Sequence, residues 1–266
     1  MSRSAPQPEA RPLSARSVVA STLLGTDGLT LPVRALVRAG ELFGIAEGTT
    51  RVALSRMAGA GELVARDGRY RLAGPLVERS VAQEAGRRPP LLAWDGAWSM
   101  AVVQSARPRA AGERSALRTA LRRLDLAEWR EGVWLRPDNL GDPARRLPEA
   151  ARVVTSQCQW LTCRLGDGED LALAAGLWDL SGWAGRAGEL HAGMQASIGD
   201  LRSGDAGALR PAFLLAASVL RHLAADPLLP DELLPGRWPG PRLRRAYDRY
   251  EAALQRGLRR WFRDEA

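Results

Sequence analysis

Arginine is the residue of this chain whose spacing is best suited to chemistry with a partner. Five arginines lie close together after Glu47: Arg51, Arg56, Arg66, Arg69 and Arg71. An arginine fork spans the two acceptors on the major-groove edge of guanine, and other guanidinium groups bond phosphates. Because this geometry suits the grooves and backbone of a duplex, the spacing predicts contacts with double-stranded DNA.

The candidate DNA-contacting side chains lie on one helix and on the hairpin after it. They are Thr49, Thr50, Arg51, Ser55, Arg56, Arg66, Arg69 and Arg71. Arg51 is the candidate for reading a base, and Arg56 is better placed for a backbone phosphate. Thr49 and Ser55 can donate to phosphate or contact a thymine methyl, whereas Thr50 also falls on the inward face of the helix. A solvated charged face is the alternative for Arg51 and Arg56.

The first dozen residues have the composition of a flexible arm. They are rich in Pro, Ser and Arg and lack an apolar core. Arg3, Arg11 and Arg16 could extend the DNA contact from this end of the chain, although solvated side chains are the simpler interpretation.

The elements that must position these side chains follow from periodicity. Apolar residues at helical spacing predict helices from Ser14 to Leu24, from Pro32 to Phe43 and from Glu47 to Gly61. The alternating run from Leu63 to Leu72 has Asp67-Gly68 at its centre, which is typical of a two-residue hairpin turn. Three helices and a hairpin indicate a winged helix-turn-helix domain over residues 13–86, and Pro75 to Ala85 predicts one further helix.

The remaining two thirds of the chain predicts an α+β, multidomain protein. The predicted order of elements in the middle of the chain is βαββαβ. It consists of a strand from Trp98, a helix from Glu113 to Leu126, a hairpin about Glu131-Gly132, a short helix at Pro143 to Leu147 and a strand from Ala151 to Cys158. This order favours a ferredoxin-like domain over residues 91–165.

Residues 170–266 predict a mostly helical C-terminal domain for effector binding and dimerisation. The predicted helices are Leu171 to Asp179, Trp183 to Arg202, Leu209 to Asp226 and Arg242 to Arg263. A Pro-rich crossing that starts at Asp226 interrupts them.

Charge and composition exclude several classes of protein. The net charge is +8, and all 38 basic residues are Arg, so every mechanism that needs a lysine is excluded. Residues 1–88 hold thirteen Arg against eight acidic residues, a net +5, so the positive excess lies at the N-terminal end. The sequence has no apolar run long enough for a membrane span, and we expect a cytoplasmic protein that does not bind a membrane.

Few residues point to catalysis or to a metal. Cys158 and Cys163 are five residues apart, and His191 and His222 lie far from them, which is not the spacing of a metal site. No nucleophile motif and no phosphate loop is present. We expect reduced thiols, no catalytic residues, no metal, no cofactor and no enzymatic activity.

Three stretches resemble the PaaX family of transcriptional repressors. They are the winged-helix run Phe43-Gly-Ile45 with Thr50-Arg51 and Leu54-Ser-Arg56-Met57, the start Trp94-Asp-Gly-Ala-Trp98, and the C-terminal strings Leu177-Trp-Asp-Leu180, Asp226-Pro-Leu-Leu-Pro and Trp238-Pro-Gly240. The resemblance implies a homodimeric repressor that binds a partly palindromic operator. It also implies release by a small-molecule effector of the acyl-CoA thioester type, which is phenylacetyl-CoA in the founding members of the family.

The effector site has no assigned residues. Between Gly182 and Met194 the chain departs from the family pattern, with Gly and Ala in place of bulkier aromatic residues. Trp94, Trp98, Trp134, Trp178, Trp183 and Trp238 could stack on an aromatic acyl group, although core packing is the commoner role. Likewise Arg242, Arg244, Arg245 and Arg249 could pair with coenzyme phosphates or form a charged helix face.

The competing class is a winged-helix module that binds another protein, or nucleic acid without sequence preference, and has no effector response.

Overall fold

The computed structural model describes residues 13–25, 30–104, 110–166 and 168–263. The chain forms two compact units. The first comprises the residues through Gln83, Gly193–Ser218 and the residues from Tyr247 onwards, and the second comprises Glu84–Ala192 and Val219–Ala246.

The N-terminal part of the first unit is a winged helix. Its elements are α1 (Ala15–Leu24), β1 (Leu31–Pro32), α2 (Val33–Glu41), α3 (Glu47–Gly59), β2 (Leu63–Arg66) and β3 (Arg69–Leu72). Helix α4 (Pro75–Arg87) follows them and ends in the second unit. Ser14 caps α1, because its hydroxyl accepts a hydrogen bond from the Ser17 amide at 3.2 Å. The three strands form an antiparallel sheet in the order β1-β3-β2.

A single apolar core holds these helices and strands together. Its buried residues come from α1, α2, α3 and the two hairpin strands, among them Leu23, Leu36, Leu54, Met57 and Leu72. The predicted winged helix-turn-helix is therefore confirmed, with helix ends within about two residues of the sequence expectation.

The middle of the chain forms a four-stranded sheet with helices. Its elements are β4 (Trp98–Val103), α5 (Ala111–Arg123), β5 (Ala127–Arg130), β6 (Val133–Pro137), α6 (Pro143–Arg146), α7 (Pro148–Thr155) and β7 (Cys158–Cys163). The strands are antiparallel in the order β5-β6-β4-β7. This strand order and the βαββαβ succession confirm the ferredoxin-like prediction.

Both faces of this sheet are covered. On one face Ala101 and Trp134 pack with Leu117 and Leu121 of α5 and Val154 of α7. On the other face Trp98 and Leu135 join Ala174, Leu180, Leu229 and Leu233. Because both faces are covered, the inner strand β4 is apolar at five of its six positions.

The C-terminal region is helical, as predicted. It contains α8 (Glu169–Leu177), α9 (Leu180–Ser203), α10 (Leu209–Leu223) and α11 (Gly240–Arg263), with short 3-10 turns at Ala206–Ala208 and Asp231–Leu233. The two compact units divide this region between them, and the boundaries 91–165 and 170–266 stay predictions. None of the helices within the described ranges is long and apolar enough to cross a membrane.

One local prediction is wrong, and one short strand was not predicted. The segment Ala151 to Cys158 is not a strand, because α7 occupies most of it and the strand follows at Cys158–Cys163. Pro148 starts this helix, and Ala150, Ala151 and Val154 are buried at helical spacing. The sequence also gave no sign of β1, which pairs Leu31 with Tyr70 and Pro32 with Arg69.

Candidate nucleic-acid interface

Helix α3 has one buried face and one exposed face. Thr50, Leu54 and Met57 are buried at helical spacing. The opposite face is open to solvent and carries four of the predicted DNA-contacting side chains: Thr49, Arg51, Ser55 and Arg56. The helix therefore presents hydrogen-bond donors outward from a firmly packed base.

Thr50 is a core residue, so its inclusion among the DNA-contacting candidates is wrong. Its side chain is 0% exposed, and its hydroxyl has no hydrogen-bond partner. The hydroxyl oxygen lies so near Gly40 that a Cβ added to that glycine would be 2.4 Å from it. Gly40 therefore allows α2 and α3 to cross closely, which fixes where the exposed face of α3 lies.

Arg51 has a partner on its own helix. Its Nε donates to Oε1 of Glu47 at 2.7 Å, and the two side chains are 54% and 55% exposed. An acidic residue four positions before an arginine is the favourable order for such a pair. The pair holds the Arg51 guanidinium near the N-terminal half of α3, where a recognition helix contacts bases.

The hairpin β2-β3 is the wing, and its turn has the geometry that Asp-Gly favours. Asp67 has φ of 51° and Gly68 has φ of 68°, both in the left-handed region. Arg66 pairs with Arg69 and Val64 with Arg71 across the strands. Because opposite residues share a face and alternate residues return to it, Arg66, Arg69 and Arg71 all lie on one face of the wing.

The other face of the wing is turned to the core. Ala65 pairs with Tyr70, and Leu63 pairs with Leu72. Both leucines are buried, and Tyr70 is half-buried against the same core. Because this face packs on the core, the three arginines on the opposite face are exposed to solvent.

The wing arginines are only lightly engaged by the protein. Arg69 donates to the Thr30 carbonyl at 2.5 Å, and Arg66 lies 3.5 Å from the Asp67 carboxylate with both side chains nearly fully exposed. Exposed pairs of this kind contribute about 1 kcal/mol or less. The guanidinium groups therefore remain available to an anionic partner.

Arg16 is not part of an arm. It lies in α1, and its guanidinium makes two hydrogen bonds to the Glu62 carboxylate, at 2.9 and 2.5 Å. The hydrogen bond from Arg16 lowers the pKa of Glu62, and the same bond raises the pKa of Arg16. Arg3 and Arg11 lie outside the described residues.

Family models match almost the whole sequence. The PaaX-like protein model matches residues 14–76, the PaaX protein central Cas2-like domain matches residues 92–173, and the PaaX-like protein C-terminal domain matches residues 178–264. The chain belongs to the PaaX family, a family of DNA-binding transcriptional regulators.

A solved structure supports the same fold. It is an uncharacterized protein, Rv0674, from Mycobacterium tuberculosis, which is 39% identical in sequence and superimposes with a TM-score of 0.67. The match covers 92% of this PaaX-family chain and 97% of that one. No curated protein matches the sequence.

The tryptophans of the PaaX central and C-terminal regions pack in the protein. Trp98, Trp134 and Trp183 are buried, while Trp94, Trp178 and Trp238 are partly buried against the second sheet face. Trp183 also stacks on Trp238 at 4.6 Å and on His222 at 4.4 Å between ring centroids. These contacts agree with core packing, which was expected to be the commoner role of these tryptophans.

Arg244 has a structural role that its sequence context did not reveal. It donates to the Asp226 carboxylate at 2.6 Å and to the Gly86 carbonyl at 2.7 Å. Asp226 is 2% exposed and Arg244 13% exposed, so this is a buried ion pair. The neighbouring Arg242, Arg245 and Arg249 are exposed, as a charged helix face requires.

Proposed function

We propose that the chain is a repressor that inserts α3 into the major groove of operator DNA and lays the wing on the adjacent backbone. The observation that carries this proposal is the coincidence of two exposed basic surfaces on one packed module. The outer face of α3 holds Arg51, Ser55 and Arg56, and one face of the wing holds three arginines.

The roles of these side chains follow from their exposure. Arg51 is in the N-terminal half of α3, so its fork is the base-reading group, and Arg56 bonds a phosphate. Thr49 and Ser55 contribute hydroxyl donors, while Arg66, Arg69 and Arg71 neutralise phosphates near the minor groove. Val52 is 51% exposed on the same helix and offers an apolar contact for a thymine methyl.

A gel-shift titration with DNA from upstream of the chain's own gene tests this assignment. The Arg51→Ala, Arg56→Ala variant should lose about 5- to 150-fold in affinity, since one bidentate base contact contributes about 1–3 kcal/mol. Arg122→Ala, Arg152→Ala removes the same charge from exposed positions on α5 and α7 and serves as the control. Undiminished binding by the Arg51→Ala, Arg56→Ala variant refutes the assignment.

Salt dependence separates this function from nonspecific association. A sequence-reading protein keeps its preference for the upstream DNA over random DNA as salt rises, because base contacts release few counterions. A module that binds any nucleic acid, or only another protein, shows no such preference at any salt concentration.

The proposed function also includes a small-molecule effector and a homodimeric state. We infer a cytoplasmic homodimer that releases DNA when an acyl-CoA thioester binds, as the family resemblance implies. Phenylacetyl-CoA should weaken the DNA complex in the gel shift, whereas free phenylacetate and coenzyme A should not. Sedimentation of the free protein at the mass of two chains supports the dimer, and sedimentation at the mass of one chain contradicts it.

A further inference from the structure

The first compact unit contains an arginine-lined cavity away from α3 and the wing. The cavity has a volume of about 280 Å³ and lies between the end of α9 and the last third of α11. Its lining residues are Leu201, Arg202, Arg256, Arg259 and Arg260. We refer to it below as the arginine pocket.

The arginine pocket brings four arginines together, and the described residues supply no ion pair to any of them. Arg256, Arg259 and Arg260 stand at positions i, i+3 and i+4 of α11 and therefore share one face of the helix. Within the ranges that the structure describes, no carboxylate forms an ion pair with them or with Arg202. Like charges gathered in this way repel each other, so an anion that enters the pocket relieves the repulsion.

Capping of α9 accounts for only part of the cluster. Arg260 donates to the Leu201 carbonyl at 3.2 Å, and a cation at a helix C-terminus interacts favourably with its exposed carbonyls. Gly204, with φ of 94°, leaves room for this contact, because a Cβ there would lie 3.1 Å from the Arg260 guanidinium. Among the described residues, Arg256 and Arg259 make no contact of this kind, and helix capping therefore does not explain them.

The size and donors of the pocket select the ligand. A guanidinium fork matches the oxygen geometry of phosphate, and several forks together suit a group that carries more than one negative charge. The cavity, at about 280 Å³, is slightly smaller than the roughly 300–1,000 Å³ of typical small-molecule sites, so it suits one phosphate or diphosphate group.

The same helix contacts the winged helix on both sides of the pocket residues. Gln255 donates through Nε2 to the Gly25 carbonyl at the end of α1, at 2.7 Å. Arg38 of α2 donates to the Trp261 carbonyl at 3.3 Å and lies 4.8 Å from the centre of the Trp261 ring. These contacts give a shift of α11 a direct path to α1 and α2, the two helices that pack against α3.

We propose that the arginine pocket binds a phosphate-bearing small molecule and that this binding changes the affinity of the winged helix for DNA. The binding site stands on the pocket alone, and only its effect on DNA rests on the function proposed above.

Titration calorimetry with inorganic pyrophosphate tests the site without DNA, in a buffer free of phosphate and sulfate. We expect one site per chain and at least a tenfold weaker affinity in the Arg256→Gln, Arg259→Gln variant. Arg245→Gln, Arg249→Gln makes the same charge change at exposed positions on α11 outside the pocket, and it should bind like the wild type. No binding by the wild type, or equal binding by both variants, overturns the proposal.

Two further measurements complete the test of the site. Thermal unfolding checks the fold of each variant. If the double variant is unstable, the pyrophosphate affinity of the single variants Arg256→Gln and Arg259→Gln is measured instead. A titration with ADP distinguishes the two sources of the group. If ADP binds more tightly than pyrophosphate, the ligand is a phosphate ester whose organic part extends out of the cavity. If ADP binds more weakly, the ligand is an inorganic anion.

The effect on DNA is measured separately. Pyrophosphate should change the affinity of the wild type for its upstream DNA by at least about fivefold, a typical coupling between two sites, and leave the pocket variant unaffected. If calorimetry shows the site but no DNA binds, the function proposed above fails and the site remains. If the pocket variant loses about two units of salt slope on DNA, its arginines contact the duplex and the small-molecule proposal is wrong.

Discussion

The wing offers the sharpest quantitative prediction, because the register places three arginines on one face. Each phosphate contact contributes about 0.9 to the slope of log affinity against log salt. Replacement of Arg66, Arg69 and Arg71 by alanine should therefore make the slope shallower by about 2.7. Between about 50 and about 200 mM salt, the wild type should then lose about 40-fold more affinity than the variant.

The assay is fluorescence anisotropy of a labelled duplex, recorded across that salt range for specific and random DNA. Because phosphate contacts carry no sequence information, the slope should fall by a similar amount on both duplexes. The control removes three exposed arginines from the ferredoxin-like domain: Arg122, Arg145 and Arg152. An unchanged slope in the wing variant, with its melting temperature preserved, refutes our account of the wing, as does an equal loss of slope in the control.

The remaining predictions concern stability and are measured by urea unfolding. Gly40→Ala should cost about 1–3 kcal/mol, because its methyl collides with the Thr50 hydroxyl, and an unchanged midpoint contradicts the close crossing. Thr50→Val should stabilise the protein by about 1 kcal/mol, since it removes a buried hydroxyl without a partner; a loss of stability would mean that the hydroxyl is bonded. Asp226→Asn should cost about 3–5 kcal/mol, because it removes the counterion of the buried Arg244 guanidinium and leaves it only uncharged partners, and a cost below 1 kcal/mol contradicts this. Burial lowers the pKa of His222 from 6.5, so the unfolded chain binds the proton more readily and stability should fall as the pH drops below about 6.5. His222→Gln should flatten that decline, and a decline of equal size in the variant would assign it to other groups.

Much of the winged helix could be predicted from the sequence because its signals are local. Asp67-Gly68 supplies the two positive φ angles of the wing turn, and the apolar spacing of α3 separates its two faces. The same spacing places Thr50 inward with Leu54, so its correction needed no information beyond helical periodicity. Glu47 could have been found from its four-residue separation from Arg51.

Other features depend on contacts between distant segments. The run around Val154 is short and apolar, and such runs fit a buried strand as well as a helix. The strand β1 has only two residues and exists because β3 lies beside it. The arginine pocket requires the end of α9 to meet α11, and the buried partnership of Arg244 requires Asp226 and Gly86 to converge. The spacing of residues along the chain does not predict these long-range contacts.

The Arg51–Glu47 pair has a consequence for how the protein searches DNA. Exposed pairs four residues apart are worth about 0.3–0.5 kcal/mol, so an exchange of Glu47 for another acceptor costs roughly a factor of two in affinity. A bidentate contact with the two acceptors of guanine contributes about 1–3 kcal/mol, which exceeds that cost. A base edge without acceptors offers no such contact, so the Arg51 guanidinium stays with the Glu47 carboxylate. Under the function proposed above, a duplex of the wrong sequence meets an Arg51 guanidinium that keeps its Glu47 partner, which shortens the residence of the protein on that duplex.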